Sequence, residues 1–234
     1  MVNNLVVRIN TANLDEQIFA KVDRAQYGNN VLKEVSITGR NENNRLLHIA
    51  ANFQHGSPQE EVNGELKNYS INLNQSTNTQ GDYVVRFDPT SVNFNNVTWS
   101  IDTSPQLNHS ITYRKATKDF LIENLRIFSD SSELLVKTAT FKSAKDFHAE
   151  AEVKNMQIAK ILEMQAGGNS LDMQGLANGS INITMNRNNL EPLVDLRIDN
   201  ITMDGEDLGN IVINAKNSAT ANVFDIEAQV ISAG

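Results

Sequence analysis

The sequence predicts an all-β protein: an elongated, curled β-sheet with an apolar interior, closed as a barrel or left open as a gutter, with one short helix near residues 156–165. Three observations carry the prediction. Short runs alternate apolar and polar residues with a period of two, as strands with one wet face require. The breaks between runs are rich in Asn, Asp and Gly, which favour reversals and tolerate left-handed backbone. Hydrophobic residues make up 40% of the 234 residues but aromatics only 6%, so the apolar faces are built from Val, Ile, Leu and Ala.

Leu5–Ile9, Ile18–Val22, Val31–Thr38 and Leu46–Phe53 open the series. Breaks at Asn10–Leu14, Arg24–Asn30 and Gly39–Asn44 separate them. Val35 and Ile37 alternate with Glu34, Ser36 and Thr38, and Leu47, Ile49, Ala51 and Phe53 alternate with His48, Ala50 and Asn52. A longer alternating strand is expected over Val62–Leu73, then a polar break at Asn74–Gln80. Tyr83, Val85 and Phe87 form the next face before Asp88-Pro89; Val92 and Phe94 begin a return, and Val97, Trp99 and Ile101 follow. Ile111–Tyr113, Phe120–Ile122, Leu125–Phe128, Leu134–Val136 and Phe147–Val153 continue a meander of strands four to eight residues long. In Met156–Gln165 the apolar residues Ile158, Ile161 and Leu162 recur at three and four, and Gly167-Gly168 supplies a stop, so a helix is expected there. Strands resume at Ser170–Gln174, Gly179–Met185, Val194–Ile198, Ile201–Met203, Leu208–Ala215 and Val223–Ile231. A single elongated domain over 1–234 is expected, with weak internal boundaries near 54–61 and 156–168.

Composition excludes several functions. Cys is absent, so disulfides, thiolate metal sites and thiol catalysis are impossible. The net charge of −8 is spread along the chain without a basic stripe, which argues against nucleic-acid binding. No run approaches 18 apolar residues, and no secretory leader precedes the first strand pattern; either a cytoplasmic protein or an internal piece of a larger one is expected, and the strand pattern already under way at Leu5–Ile9 favours the second.

No catalytic, cofactor or metal site is expected. His48, His55, His109 and His148 lack metal-ligand spacing. Glu150 and Glu152 alternate with Ala149, Ala151 and Val153, which puts both on a wet face. Asp204-Gly205-Glu206-Asp207 departs from the calcium-loop pattern and reads as a turn. Gly175 to Gly179 is not followed by Lys-Ser/Thr, so these glycines bend a strand or permit close approach. A lone Trp99 in an alternating strand reads as core or as a ligand-facing ring.

Two stretches resemble a known family. The first runs from Phe87-Asp88-Pro89 through Val92-Asn93-Phe94-Asn95 and Val97-Thr98-Trp99-Ser100-Ile101 to Ile122-Glu123-Asn124-Leu125-Arg126-Ile127. The second runs from Val153-Lys154-Asn155-Met156 through Leu171-Asp172-Met173-Gln174-Gly175-Leu176-Ala177-Asn178-Gly179 to Val194-Asp195-Leu196-Arg197-Ile198-Asp199-Asn200 and Leu208-Gly209-Asn210-Ile211. Their order resembles the C-terminal half of TamB-type proteins of the AsmA-like group, in a Bacteroides-like form. The resemblance implies a periplasmic segment of a protein anchored in the inner membrane, with a taco-shaped β groove. It also implies passage of phospholipid between the membranes, assembly of outer-membrane proteins with a barrel partner, and no catalytic residues. From the alternation, the expected groove lining is Val85, Phe87, Val97, Trp99, Ile101, Ile111, Tyr113, Ile181, Ile183, Met185, Leu196, Ile198, Ile211 and Ile213. The competing expectation is a surface structural or adhesive solenoid or sandwich with a closed core. A carbohydrate-binding module lacks its aromatic platforms, and an outer-membrane barrel its aromatic girdles.

Overall fold

The computed structural model describes residues 2–10, 18–41, 46–94, 97–159, 172–187, 189–218 and 223–231. The all-β expectation holds: nearly every element is a strand, and the ladders are antiparallel. The chain forms two compact units, residues 1–93 with 98–103, and residues 94–97 with 104–234. A single domain was the expectation; residues 54–61 lie inside the first unit, where a helix joins two paired strands.

The first unit holds β1 (Val2–Asn3), β2 (Val6–Ile9), β3 (Ile18–Tyr27), β4 (Asn30–Asn41), β5 (Leu46–Gly56), α1 (Pro58–Asn63), β6 (Lys67–Thr77), β7 (Tyr83–Phe87), most of β8 (Thr90–Phe94) and most of β9 (Val97–Ile101). Here β1 and β2 share the edge of β3, β3 to β6 pair in sequence, and β6 pairs with β7 and touches β8. The second unit is an uninterrupted meander of β10 (Ser110–Arg114), β11 (Asp119–Ser129), β12 (Ser132–Ser143), β13 (Asp146–Gln157), β14 (Met173–Asn186), β15 (Asn189–Met203), β16 (Glu206–Asn217) and β17 (Phe224–Ile231).

Residues paired across a ladder share a face, so the registers define rows of side chains. In the second unit one row runs Leu125–Val136–Ala151–Ile181–Val194–Ala215–Ile226, and a parallel one runs Ile127–Leu134–Val153–Gly179–Leu196–Ile213–Ala228. Between them, on the other face, lies Arg126–Leu135–Glu152–Ser180–Asp195–Asn214–Glu227. The first unit repeats the division. Ile9–Ile18–Gly39–Ile49–Leu73–Phe87 and Val7–Ala20–Ile37–Ala51–Ile71 share one face. Val6–Lys21–Ser36–Asn52–Ser70 lies on the other.

Several strands are longer than expected because left-handed residues, two of them in bulges, join runs that the alternation had separated. Phe120–Ile122 and Leu125–Phe128 are one strand, β11, as are Val194–Ile198 and Ile201–Met203 in β15. In Ile122-Glu123-Asn124-Leu125, Val153-Lys154-Asn155-Met156 and Ile198-Asp199-Asn200-Ile201, two apolar residues lie three apart, a spacing that flat pleating would place on opposite faces. The Asn of each takes a positive φ, 51° at Asn124, 47° at Asn155 and 53° at Asn200. Ladder register shifts at the last two. A bulge of this kind adds one residue and restores both apolar neighbours to the same side. Its backbone N–H loses its ladder partner, and a side chain replaces it: Asn155 N donates to Asn178 Oδ1 at 2.8 Å, and Asn200 N to Asn210 Oδ1 at 3.0 Å. Met156 and Ile201, the residues after these bulges, are buried.

The helix expected over 156–165 begins later than predicted. Met156 and Gln157 end β13, Ile158 and Ala159 are helical, and 160–165 lie outside the described residues. The strand expected from Val62 starts only at Lys67, because Pro58–Asn63 is α1. Ser57 and Glu60 form a capping box, Pro58 opens the first turn and Gly64 closes the helix with φ 75°. At six residues α1 needs tertiary support. Arg24 of β3 supplies it, donating from Nε and Nη2 to Glu61 at 3.0 and 2.9 Å; this bond holds the Glu61 carboxyl below its ordinary pKa.

Two substitutions test these backbone devices by urea unfolding. Asn200→Val is expected to cost about 1–2 kcal/mol, the usual penalty for an L residue held left-handed, while Asn200→Gly leaves stability nearly unchanged. Gly179 has φ 141°, and a Cβ there would overlap the Asp195 carbonyl oxygen. Gly179→Ala is therefore expected to cost about 3 kcal/mol, the largest loss from adding one methyl group to β14.

Candidate functional site

The feature that stands out chemically is the apolar face presented by the strands of each unit. Of the predicted lining residues, Ile181, Ile183 and Met185 on β14, Leu196 and Ile198 on β15, and Ile211 and Ile213 on β16 share one face of the second unit. Ile111 and Tyr113 on β10 sit opposite Ile122 and Phe120, in the same set of alternating positions. In the first unit Val85 and Phe87 of β7 pair with Gln75 and Leu73. Trp99 is buried at 8% exposure, and its indole N–H has no acceptor among the described residues. Ile101 is half-buried, and the Val97 side chain lies outside the described residues.

Alternation alone missed half of this face. Leu125, Ile127, Leu134, Val136 and Val153 complete its rows, as do Ala139, Ala149 and Ala151. The signal that would have found them is the apolar pair three residues apart with Asn third in the run, which marks a bulge and not a strand end.

Burial along the face is partial. Ile181, Ile183, Leu196, Ile198, Ile211 and Ile213 are all half-buried. On the edge strand β17, Ile226 and Val230 are 64% and 66% exposed. Among the described residues the buried hydrophobic set is short, and in the second unit it consists of Met156, Ala177, Ile201 and Ala215. The face thus presents half-exposed aliphatic surface over seven strands among the described residues.

The opposite face is polar and internally paired. Lys137 reaches Glu152 at 2.6 Å and Glu150 at 3.5 Å, and the Glu152 hydrogen bond leads in raising the Lys137 pKa. A cleft of about 530 Å³ lies here, lined by Glu133, Glu152, Lys154, Asn178 and Arg197 among others. It is charged and shallow, unsuited to apolar cargo.

The remaining sequence candidates have structural places. Asp204 and Gly205, with φ 51° and 81°, form the two-residue reversal between β15 and β16, as a type I′ turn requires. His148 Nδ1 lies 2.9 Å from Thr184 Oγ1, and His55 Nε2 lies 3.2 Å from Asn30 Oδ1. No cluster among the described residues has a metal-binding arrangement, and no helix among them is long and apolar enough to cross a membrane. Comparison with protein-family models, curated proteins and solved structures finds no match for this chain.

At one end of the face the β10–β11 turn is clamped by Arg114, whose Nε and Nη2 donate to Asp119 at 2.8 and 2.6 Å, while Thr117 Oγ1 donates at 2.6 Å. These bonds, the Arg114 bonds foremost, bring the Asp119 carboxyl from 3.8 down to about 2. A depressed carboxylate stabilises the fold above its unfolded pKa, and that contribution disappears as pH falls through the folded value. Acid titration of unfolding free energy is expected to drop between pH 4 and pH 2 in the native chain, and Asp119→Asn is expected to flatten that part of the curve.

Proposed function

We propose that this chain is a periplasmic segment of a TamB-like, AsmA-related envelope protein, and that its apolar sheet face carries phospholipid acyl chains passively between inner and outer membranes. A role in outer-membrane protein assembly beside a barrel partner belongs to the same reading. The observation that carries the proposal is the set of aliphatic rows across β11 to β17, half-buried, backed by a predominantly polar face.

The energetics favour carriage over storage. An acyl chain laid on such a face gains about 0.8 kcal/mol per CH₂ removed from water. Successive rows are chemically alike, so the gain changes little as the chain moves from one row to the next, and no single position becomes a trap. With neither a metal nor a catalytic group in the reading, the work asked of the protein is solvation and guidance alone. Order in the polar face, through pairs such as Lys137–Glu152, keeps the sheet soluble on its far side.

The test is native mass spectrometry with lipid extraction on the purified chain, beside Ile183→Glu and Leu196→Glu on the apolar face and Ser180→Glu on the polar one. Phospholipid is expected with the native chain and Ser180→Glu, and absent from both apolar-face variants while they keep a β circular-dichroism spectrum. A native chain that carries no lipid and takes up none when it is added would overturn the proposal in favour of a structural or adhesive role.

A further inference from the structure

Antiparallel meanders place alternate turns at the same end of a sheet, and in the second unit the two ends differ in charge. The outermost row of the apolar face is aromatic at one end: Tyr113–Phe120–Phe141–Phe147–Met185–Leu190. Immediately beyond it lie the β10–β11, β12–β13 and β14–β15 turns. Residues 114–119, 142–146 and 186–189 there hold six cations, Arg114, Lys115, Lys118, Lys142, Lys145 and Arg187, against two carboxylates, Asp119 and Asp146. At the other end Asp130, Glu133, Asp172, Asp204, Glu206 and Asp207 occupy the turns and strand ends, with Lys154 level with Glu133, so carboxylates predominate there.

Phe120 and Phe141 are 47% and 48% exposed, although both belong to an apolar row. Tyr113 packs on Phe120 with ring centroids 5.2 Å apart, and Phe141 on Phe147 at 6.2 Å. A row of paired, half-exposed rings rimmed by lysines has the chemistry of a surface that meets a bilayer interface. Rings enter at headgroup depth, and ammonium groups meet lipid phosphates.

We infer that this aromatic, basic end of the second unit docks on the surface of a bilayer containing anionic lipid. The net charge of −8 does not oppose this, because salt screens it over about 8 Å and the acidic end lies at the far side of the sheet. Attraction at one end and repulsion at the other orient the strands toward the membrane and bring the outermost row of the apolar face nearest the acyl layer. Docking requires only these turns and rings, and stands whether or not the face carries lipid.

The experiment is co-sedimentation of the whole chain with vesicles of phosphatidylcholine alone, or mixed equally with phosphatidylglycerol. Binding is expected to the mixed vesicles and to fall with salt. Lys115→Glu/Lys118→Glu/Lys145→Glu is expected to lower it by on the order of a hundredfold. Phe120→Ser/Phe141→Ser is expected to lower it by on the order of tenfold, and Asp204→Lys/Glu206→Lys at the other end to leave it no weaker. Lipid uptake by the chain without vesicles is measured in parallel. Loss of uptake with vesicle binding intact would count against carriage alone. Equal binding to both vesicle types, no binding to either, or binding unchanged in the basic-end and aromatic variants overturns the docking surface. Capture of an acidic protein by this end, without vesicle binding, overturns it as well.

Discussion

Each long strand of the second unit must present its aliphatic residues on the same side as both neighbours, and an antiparallel ladder meets that demand only when the register keeps its parity. A slip of one residue would turn every Ile of β14 toward the charged face. The rest of the unit depends on this alignment: the continuous rows, the segregation of charge and the position of the turns. Short hairpins enforce it at the ends, as Asp204-Gly205 does between β15 and β16. Within the strands it is enforced by the bulges, where Asn155 and Asn200 each take a side-chain amide from the next strand in place of the lost ladder bond.

Much of this was legible in the residues. Alternation in β4, β5 and β7 to β10 marked strands close to their observed limits, and Asn-rich or Asp-rich breaks marked most reversals. The bulges were not read, because a period-two test treats Asn124 or Asn200 as the end of a strand. In the structure the same residue lies mid-strand with its φ reversed. The helix α1 was missed for another reason. Val62, Leu66 and Tyr69 sit at spacings compatible with either element, and the decisive evidence was the Ser57-Pro58-Gln59-Glu60 start, whose capping box fixes a helix independently of hydrophobic period. The two-faced character of the candidate site was visible strand by strand. Its continuity was not, since that is a property of pairing, and only registers show that Ile181, Val194 and Ala215 lie side by side.

Partial burial of the aliphatic face also shapes how the fold is held together. With few fully buried hydrophobic side chains, stability is shared among ladder hydrogen bonds, cross-strand pairs and local clamps such as Arg114–Asp119 and Arg24–Glu61. Each contributes modestly, and none replaces a thick core. Such a distribution suits the carriage of apolar cargo proposed above: a tightly covered face would be more stable and would have nothing left to offer.

The uninterrupted meander from β10 to β17 has a further consequence for how the unit comes apart and assembles. Every strand there pairs with its sequence neighbours along the series, so most contacts close short loops of chain, and little entropy is lost before the first of them forms. Such a sheet behaves as a nearly one-dimensional array whose stability is a sum of neighbouring interfaces. It can fray from the solvent-exposed β17 inward while the central hairpins stay intact. A hairpin added to or removed from such an array alters the reach of the apolar face without redrawing the remainder, so length is the property that evolution can adjust most freely.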